Sequence, residues 1–272
     1  MRILHLDAGR EMRGGQWQVL RLIAGLAAAG IESTLLARRD APLYRTARRE
    51  GWRVEPLGLA RAALELRGHD LVHAHDARTH TMAALLKGRP LVVARRVAFP
   101  VRSRWKYGRV RRYIAVSQFV KGVLMEGGVA AEKISVVHDG VPLLAESHGS
   151  GILRLEKGRS PDNLEAALAE AGIVVYLTDC EGLGSGALLA MSAGIAVVAS
   201  DVGGLREVIA HRENGLLVGP GEGEIEAAVR ELRENREFAR RIGAAARHTV
   251  EERFTVERMV QRTIEVYRQV TE

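Results

Sequence analysis

The residues best placed to do chemistry lie between Glu181 and Ile209, in the run E-G-L-G-S-G-A-L-L-A-M-S-A-G-I-A-V-V-A-S-D-V-G-G-L-R-E-V-I. A buried-strand pattern, Ile173 to Leu177, leads into a loop holding Glu181 and glycines at 182, 184 and 186. An apolar helix pattern follows, then a second apolar strand from Ala196 to Ala199, then a Gly-Gly turn into another helix. Such strand–loop–helix junctions leave backbone N–H groups free at a helix N-terminus, where anions, phosphate above all, are favoured. The adjacent carboxylate of Glu181 either accepts hydrogen bonds from sugar hydroxyls or serves as a helix N-terminal acid facing the dipole. An anion cradle beside a carboxylate fits a ligand that carries both phosphate and hydroxyl groups.

A second concentration of charge runs from Arg95 to Arg112: Arg95, Arg96, Arg102, Arg104, Lys106, Arg109, Arg111 and Arg112, interleaved with Trp105, Tyr107 and Tyr113. The chain carries a net charge of +7. That excess is either a solvated, Arg-rich surface or an attraction to an anionic partner such as a nucleotide, an acidic lipid surface or nucleic acid. Mixed basic and aromatic residues suit a membrane interface or a nucleic-acid groove. No zinc-finger spacing, RNA-binding signature or basic zipper accompanies them, so nucleic acid is disfavoured as a partner. His73 and His75, two apart at a strand end, read either as hydrogen-bonded scaffold or as ligand contacts.

The elements that must position these residues alternate along the chain. Residues 2–6 form a short β-like run, and Gly14-Gly15 precede a helix with Val19, Leu20, Leu22, Ile23 and Leu26 on one side. Strands are expected at 31–37, 53–56, 71–74, 91–94, 114–116 and 134–137, with helices at 43–50, 81–87 and 118–126. Alternating strands and helices with short links imply a parallel sheet covered on both faces. The stretch V-P-L-L-A-E-S-H-G-S-G, 141–151, breaks the pattern and reads as a linker. Strand patterns then resume at 152–155 and 215–218, and after Pro220 the chain turns helical, closing on the stripe Val256, Met259, Val260, Ile264, Tyr267.

Composition bounds the rest. A chain of 272 residues with 47% hydrophobic and 27% charged residues describes one large or two smaller globular domains. There is no apolar run of membrane-spanning length, and the N-terminus M-R-I-L-H-L-D-A-G reads as a first strand rather than a signal peptide. Cys180 is the one cysteine, which excludes an internal disulfide. A cytoplasmic location fits, with attachment to the inner membrane face through the basic-aromatic cluster.

Taken in order, the motifs resemble the family-4 (group 1) retaining glycosyltransferases of the GT-B architecture. The resemblance rests on M-R-I-L-H-L-D with G-G-Q-W-Q-V-L, D-L-V-H-A-H-D, Y-I-A-V-S-Q-F-V-K, I-S-V-V-H-D-G-V, L-E-K-G, E-G-L-G through A-S-D-V-G-G-L-R-E-V-I, and N-G-L-L-V-G-P-G. It implies two Rossmann-like doubly wound domains facing a cleft. Residues 1–142 would form the N-terminal acceptor domain and 151–272 the C-terminal donor domain, with the last helix, about 255–270, packing back toward the N-terminal domain. The substrate would be a nucleotide-sugar, with a glycan or lipid-linked acceptor and no cofactor. No metal is implied either, and no Asp-x-Asp pair is placed to bind one.

Carried onto this sequence, the resemblance assigns donor binding to Gly14, Gly15, Arg154, Lys157 and the amides of Leu183, Gly184 and Ser185. Lys157 would stabilise the leaving diphosphate, Glu181 would hold the donor sugar, and Arg96 would act electrostatically. The acceptor would meet His75 and Arg104.

Several places depart from the family. Arg154 precedes Lys157 by three residues rather than five or six, and Leu189 stands where a carboxylate normally grips the ribose. Arg95-Arg96 occupy the place of a catalytic-region histidine. Only 22 residues separate Gly158 from Glu181, so roughly 60 residues, about two βα units, are missing from the usual second domain. Deleting strands 2 and 3 from a 3-2-1-4-5-6 sheet leaves 1-4-5-6 contiguous, exposes one edge, and predicts weakened nucleotide binding.

Overall fold

A computed structural model of the chain describes residues 1–156, 161 and 163–272. They divide into two compact units, Met1–His138 with Met259–Glu272, and Asp139–Arg258. Among the described residues no helix is long and apolar enough to cross a membrane.

In the first unit strands and helices alternate: β1 (Arg2–Asp7), α1 (Gly14–Ala28), β2 (Glu32–Ala37), α2 (Pro42–Arg49), β3 (Val54–Pro56), α3 (Leu59–Glu65), β4 (Leu71–Ala74), α4 (Ala77–Leu85), β5 (Leu91–Arg95), α5 (Arg104–Gly108), β6 (Arg112–Ala115), α6 (Gln118–Glu126) and β7 (Ile134–Val136). The seven strands lie in the order β3-β2-β1-β4-β5-β6-β7, and every pairing is parallel. Residues 3–7 of β1 and all of β4 and β5 are buried, as expected of strands covered on both faces. The apolar side of α1 is buried through Val19, Leu20, Leu22, Ile23 and Leu26. Chain order reverses between β1 and β4, and that switch point opens a crevice at the strands' C-terminal ends. The helix expected from 81 begins earlier, at Ala77. Asp76 caps it, accepting from the amides of Arg78 at 2.7 Å and Thr79 at 3.0 Å, a cap of about 1 kcal/mol that apolar spacing does not reveal.

The second unit contains β8 (Gly151–Glu156), α7 (Leu164–Ala169), β9 (Ala171–Leu177), α8 (Ser185–Ser192), β10 (Ala196–Ser200), α9 (Leu205–Val208), β11 (Leu216–Val218), α10 (Glu222–Glu234) and α11 (Arg236–Arg253). A last helix, α12 (Val256–Thr271), has its residues from Met259 onward in the first unit. Among the described residues the second sheet has four parallel strands in the order β11-β10-β9-β8. That is the contiguous 1-4-5-6 remnant expected of a domain shortened by two βα units, and β8 forms its open edge. On one face, Ile173, Val175, Val198 and Leu216 pack against Ile225, Leu232, Phe238 and Ile242 of α10 and α11. This core stabilises the sheet without the missing strands.

Candidate active site

In the first unit, the residues at the crevice come from the ends of β1, β4 and β5. Asp7, 1% exposed, closes β1. Its carboxylate accepts from the amide of Gly9 at 2.7 Å and from Gln16 Nε2 at 3.1–3.2 Å. Gln16 Oε1 in turn accepts from the amide of Arg13 at 3.3 Å. Burial raises the Asp7 carboxyl above its ordinary value, against the pull of these donors. Asp76 Oδ2 accepts from the amide of Ala8 at 2.6 Å, tying the β1–α1 loop to the start of α4. Together these bonds fix the loop that presents Gly14 and Gly15 at the N-terminus of α1. Asp7, Gln16 and Asp76 fall within motifs of the sequence, but the sequence assigns them no role, because each acts through hydrogen bonds that periodicity does not show.

Gly15 lies open. A Cβ placed on it would meet only Arg96 Cδ, at 3.9 Å, an ordinary contact. Arg96, just past β5, therefore lies alongside the Gly14-Gly15 turn. Its Nη1 lies 3.4 Å from Nδ1 of His75. The structure thus brings together Gly15, Arg96 and His75, three of the residues expected to serve the site. Arg104 opens α5, but its side chain lies outside the described residues.

The direction of the bonds behind Arg96 follows from its chemistry, since a guanidinium only donates. His75 Nδ1 is then an acceptor and its Nε2 carries the proton, donating to His5 Nδ1 at 3.0 Å. His5 Nε2 consequently donates to Ser33 Oγ at 3.3 Å. Burial holds His5 down to about 3, and takes His73 and His75 well below the ordinary imidazole value, so all three are neutral. His73 Nδ1 meets Tyr267 Oη at 2.6 Å, while its Nε2 is buried without a partner among the described residues, at a cost of about 1–3 kcal/mol. His75 is 7% exposed with both ring nitrogens engaged. An acceptor contact through His75 would therefore require one of these bonds to break.

His5, His73 and His75 each bring a nitrogen within 4.8 Å of the others, the spacing of a metal site. A cation there would have to displace the proton on His75 Nε2 and tolerate the Arg96 guanidinium 3.4 Å from Nδ1. His5 and His75 are matched to carrying the hydrogen-bond chain, while His73 bonds separately to Tyr267.

The basic-aromatic cluster is divided by the fold. Tyr107 and Tyr113 are 7% and 0% exposed and stack on each other at 5.8 Å. Arg95 is buried over Tyr107 and donates to the carbonyl of Phe99. These residues are core, which corrects their reading as surface aromatics. Trp105, 47% exposed, remains outside with Phe99 at 64% and Val97 at 43%. The Arg109 guanidinium sits 4.9 Å from the centre of the Trp105 ring.

In the second unit, the loop after β9 carries Glu181. Its Oε2 accepts from Tyr176 Oη at 2.7 Å and its Oε1 from the amide of Gly182 at 2.9 Å. Gly184 adopts φ +101° as the N-cap of α8, a left-handed conformation natural to glycine. Among the described residues no side chain caps this helix N-terminus, which leaves backbone amides there open to an anion. Leu183, Gly184 and Ser185, whose amides the resemblance assigns to donor binding, lie at this junction. The next loop is clasped onto this one: the amide of Gly204 donates to the carbonyl of Glu181 at 3.0 Å, and Ser200 Oγ accepts from the amide of Thr178 at 3.0 Å. Arg154 is an exposed residue of β8. Lys157, next in sequence after β8, lies outside the described residues. Leu189 is 8% exposed within α8 and contributes to the core.

Two family models cover this architecture: one described as Glycosyltransferase Family 4 matches residues 12–143, and one described as Glycosyl transferases group 1 matches residues 145–249. The chain belongs to the group 1, family 4 glycosyltransferases. It is 33% identical over 147 residues to the alpha-maltose-1-phosphate synthase of Mycolicibacterium smegmatis, covering 48% of this chain and 38% of that one. It is 33% identical over 108 residues to the N-acetyl-alpha-D-glucosaminyl L-malate synthase of Bacillus anthracis, covering 39% and 28%. The chain thus spans well under half the length of these curated relatives. Among solved structures it is similar to Anabaena Alr3699/HepE in complex with UDP (TM-score 0.85, 18% identity, 99% of this chain and 100% of that one). It is also similar to the sucrose-phosphate synthase of Thermosynechococcus elongatus (TM-score 0.80, 17% identity, 98% of each). These likenesses show the GT-B fold.

Proposed function

We propose that this glycosyltransferase moves a hexose from a nucleotide-sugar to a lipid-linked or polysaccharide acceptor with retention of anomeric configuration. The observation that carries the reading is the fixed carboxylate of Glu181 beside the uncapped N-terminus of α8. A carboxylate with both oxygens tethered is a sugar-hydroxyl acceptor, and the helix amides next to it suit a diphosphate. The similar Anabaena protein has been crystallised with UDP and with UDP-glucose, which supports a nucleotide-sugar as donor. In the reaction the bond from sugar to diphosphate breaks, an acceptor hydroxyl oxygen takes the sugar, and its proton leaves with the nucleoside diphosphate. Lys157, Arg154 and Arg96 would stabilise the charge that develops on the leaving group. No step in this reading uses a metal or a cofactor.

The donor site is weakened in this reading. Leu189 offers the ribose no carboxylate and is buried, and the shortened sheet removes loops that would enclose the base. Calorimetric titration with UDP and GDP should accordingly give affinities in the millimolar range; micromolar binding would contradict the weakening. Release of nucleoside diphosphate from nucleotide-sugars tests the activity. Glu181→Ala and Lys157→Ala should each lower turnover by about 100-fold or more, as loss of a transition-state contact does. The buried Leu189 also favours a second reading, a non-catalytic protein that binds sugar phosphates, and absence of turnover by the wild type with every donor would decide for it.

We further place the enzyme in the cytoplasm, on an anionic inner membrane face. The exposed Trp105, Phe99 and Val97 beside the exposed Arg102 and Arg109 support this placement.

A further inference from the structure

We propose that Tyr176 is a positioning residue for Glu181, and that residue 186 is glycine so that the Tyr176 ring can occupy its place. The proposal deepens the donor reading given above and rests on it.

Tyr176 sits near the end of β9, paired with Leu155 of β8 on one side and Ala199 of β10 on the other. Two strand ladders therefore fix its backbone. The chain then turns, and five residues later Glu181 comes back within 2.7 Å of the phenol oxygen. The second carboxylate oxygen is held by the amide of Gly182 at 2.9 Å. An ionised carboxylate has about four acceptor sites. One on each oxygen is committed inside the protein, and the others are directed by those bonds.

The phenol cannot exchange roles with the carboxylate. Burial, followed by the charge of Glu181, pushes the Tyr176 hydroxyl well above the ordinary phenol value. It stays protonated and donates at any working pH. A donor aimed at a carboxylate makes a short, charge-assisted bond, and here it restrains a side chain that otherwise turns freely about three bonds.

Gly186 completes the case. A Cβ on it would lie 2.9 Å from Tyr176 Cε2, closer than a Cβ tolerates, with Cδ2 at an ordinary 3.5 Å. Its backbone does not require glycine, since its φ lies outside the left-handed region. Glycine within a helix costs about 1 kcal/mol relative to alanine, so its presence in the first turn of α8 answers to the ring. The consequence is specific. Glu181 serves the sugar, while the nucleoside diphosphate is held by other groups. Loss of the tether should therefore weaken binding of a sugar-bearing nucleotide and leave the bare nucleotide alone.

The experiment is a ligand-observed NMR titration of the full chain with UDP and with UDP-glucose, which reads millimolar affinities. Tyr176→Phe keeps the ring and removes the donor. The expected result is a UDP affinity unchanged within about two-fold and a UDP-glucose affinity about 5–10-fold lower, in line with a lost hydrogen bond to a charged group. Gly186→Ala, which displaces the ring, should give the same split. The double variant should be no worse than the worse single one, because both remove one interaction. Equal loss of UDP and UDP-glucose, or no loss of either in Tyr176→Phe, overturns the proposal while leaving the donor reading standing. A wild type that binds neither ligand overturns the donor reading, and the proposal falls with it.

Discussion

The backbone amide of Gly204 donates to the carbonyl of Glu181 at 3.0 Å, and the two loops that carry them are in direct van der Waals contact. A Cβ on Gly204 would fall 1.9 Å from the carbonyl oxygen of Gly182 and 2.9 Å from Cα of Leu183. Both obstacles are backbone, so no rotamer change relieves them. Gly204→Ala must push the E-G-L-G loop and the G-G-L-R turn apart, with an overpacking cost of about 1–3 kcal/mol. Thermal unfolding of the full chain should show that loss together with weaker binding of UDP-glucose. An unchanged melting temperature would mean that the clasp between the loops is loose.

Gly15 makes the opposite case. Among the described residues a Cβ there meets only Arg96 Cδ, at an ordinary 3.9 Å, so none of them excludes alanine. Gly15→Ala should leave stability unchanged or raise it by about 0.4–1 kcal/mol through the unfolded state. If the open space belongs to the donor, the same substitution should cut nucleotide-sugar turnover at least about ten-fold, by blocking the approach of phosphate and sugar. Stability and activity measured side by side separate these outcomes. Turnover equal to wild type would remove Gly15 from the site.

The buried imidazoles of the first unit set an acid limit on its stability. The folded value of His5 is depressed to about 3 and that of His80 to about 4, each chiefly by burial, from an unfolded value of 6.5. His73 and His75 are depressed by the same cause. The unfolded chain then binds more protons than the folded one, so stability is full above pH 6.5 and falls as the pH drops toward about 4 for His80 and 3 for His5. Asp7, raised by burial, works in the reverse sense, losing stability as pH rises through its folded value. Urea unfolding between pH 7 and 4 should show the midpoint falling with acid. His80→Gln should reduce the slope by up to about 1.4 kcal/mol per pH unit, the contribution of one proton. A midpoint flat across this window would show that the imidazoles titrate normally.

Much of this architecture is legible in the sequence. Strands rich in Val, Leu and Ile, separated by helical spacings, specify a parallel sheet because the pattern follows burial on two faces, and burial is what hydrophobicity reports. The shortened second sheet was legible too, since the interval between E-K-G and E-G-L-G is too brief to hold the usual elements. The site was readable only in part. Gly15, Glu181 and Gly184 can be given roles from their motifs, whereas Asp7, Gln16, Asp76 and Tyr176 work through hydrogen bonds whose partners are fixed only by the folded geometry. Tyr107 and Tyr113 misled for a related reason. They are interleaved with arginines, but Tyr113 lies on β6 pointing into the core, where Tyr107 of α5 stacks on it. Local charge density says nothing about that direction.

The surface that remains outside predicts how the protein would meet a membrane. With Tyr107 and Tyr113 buried, the proposed attachment would depend on Trp105, Phe99 and Val97, which are 47%, 64% and 43% exposed. Interfacial residues of this kind gain by inserting their rings, and each nearby Lys or Arg adds about 1 kcal/mol on an anionic surface. The full chain should therefore co-sediment with vesicles containing phosphatidylglycerol and less with neutral ones, and added salt should release it. Trp105→Ala with Phe99→Ala should lower the bound fraction on anionic vesicles about ten-fold or more, since each ring loses apolar burial of about 1.5–3 kcal/mol. Tyr107→Phe should leave it unchanged, because that ring never reaches the surface. Binding that survives the double substitution would move the docking face elsewhere on the molecule, and binding that appears equally on neutral vesicles would show that the basic residues play no part.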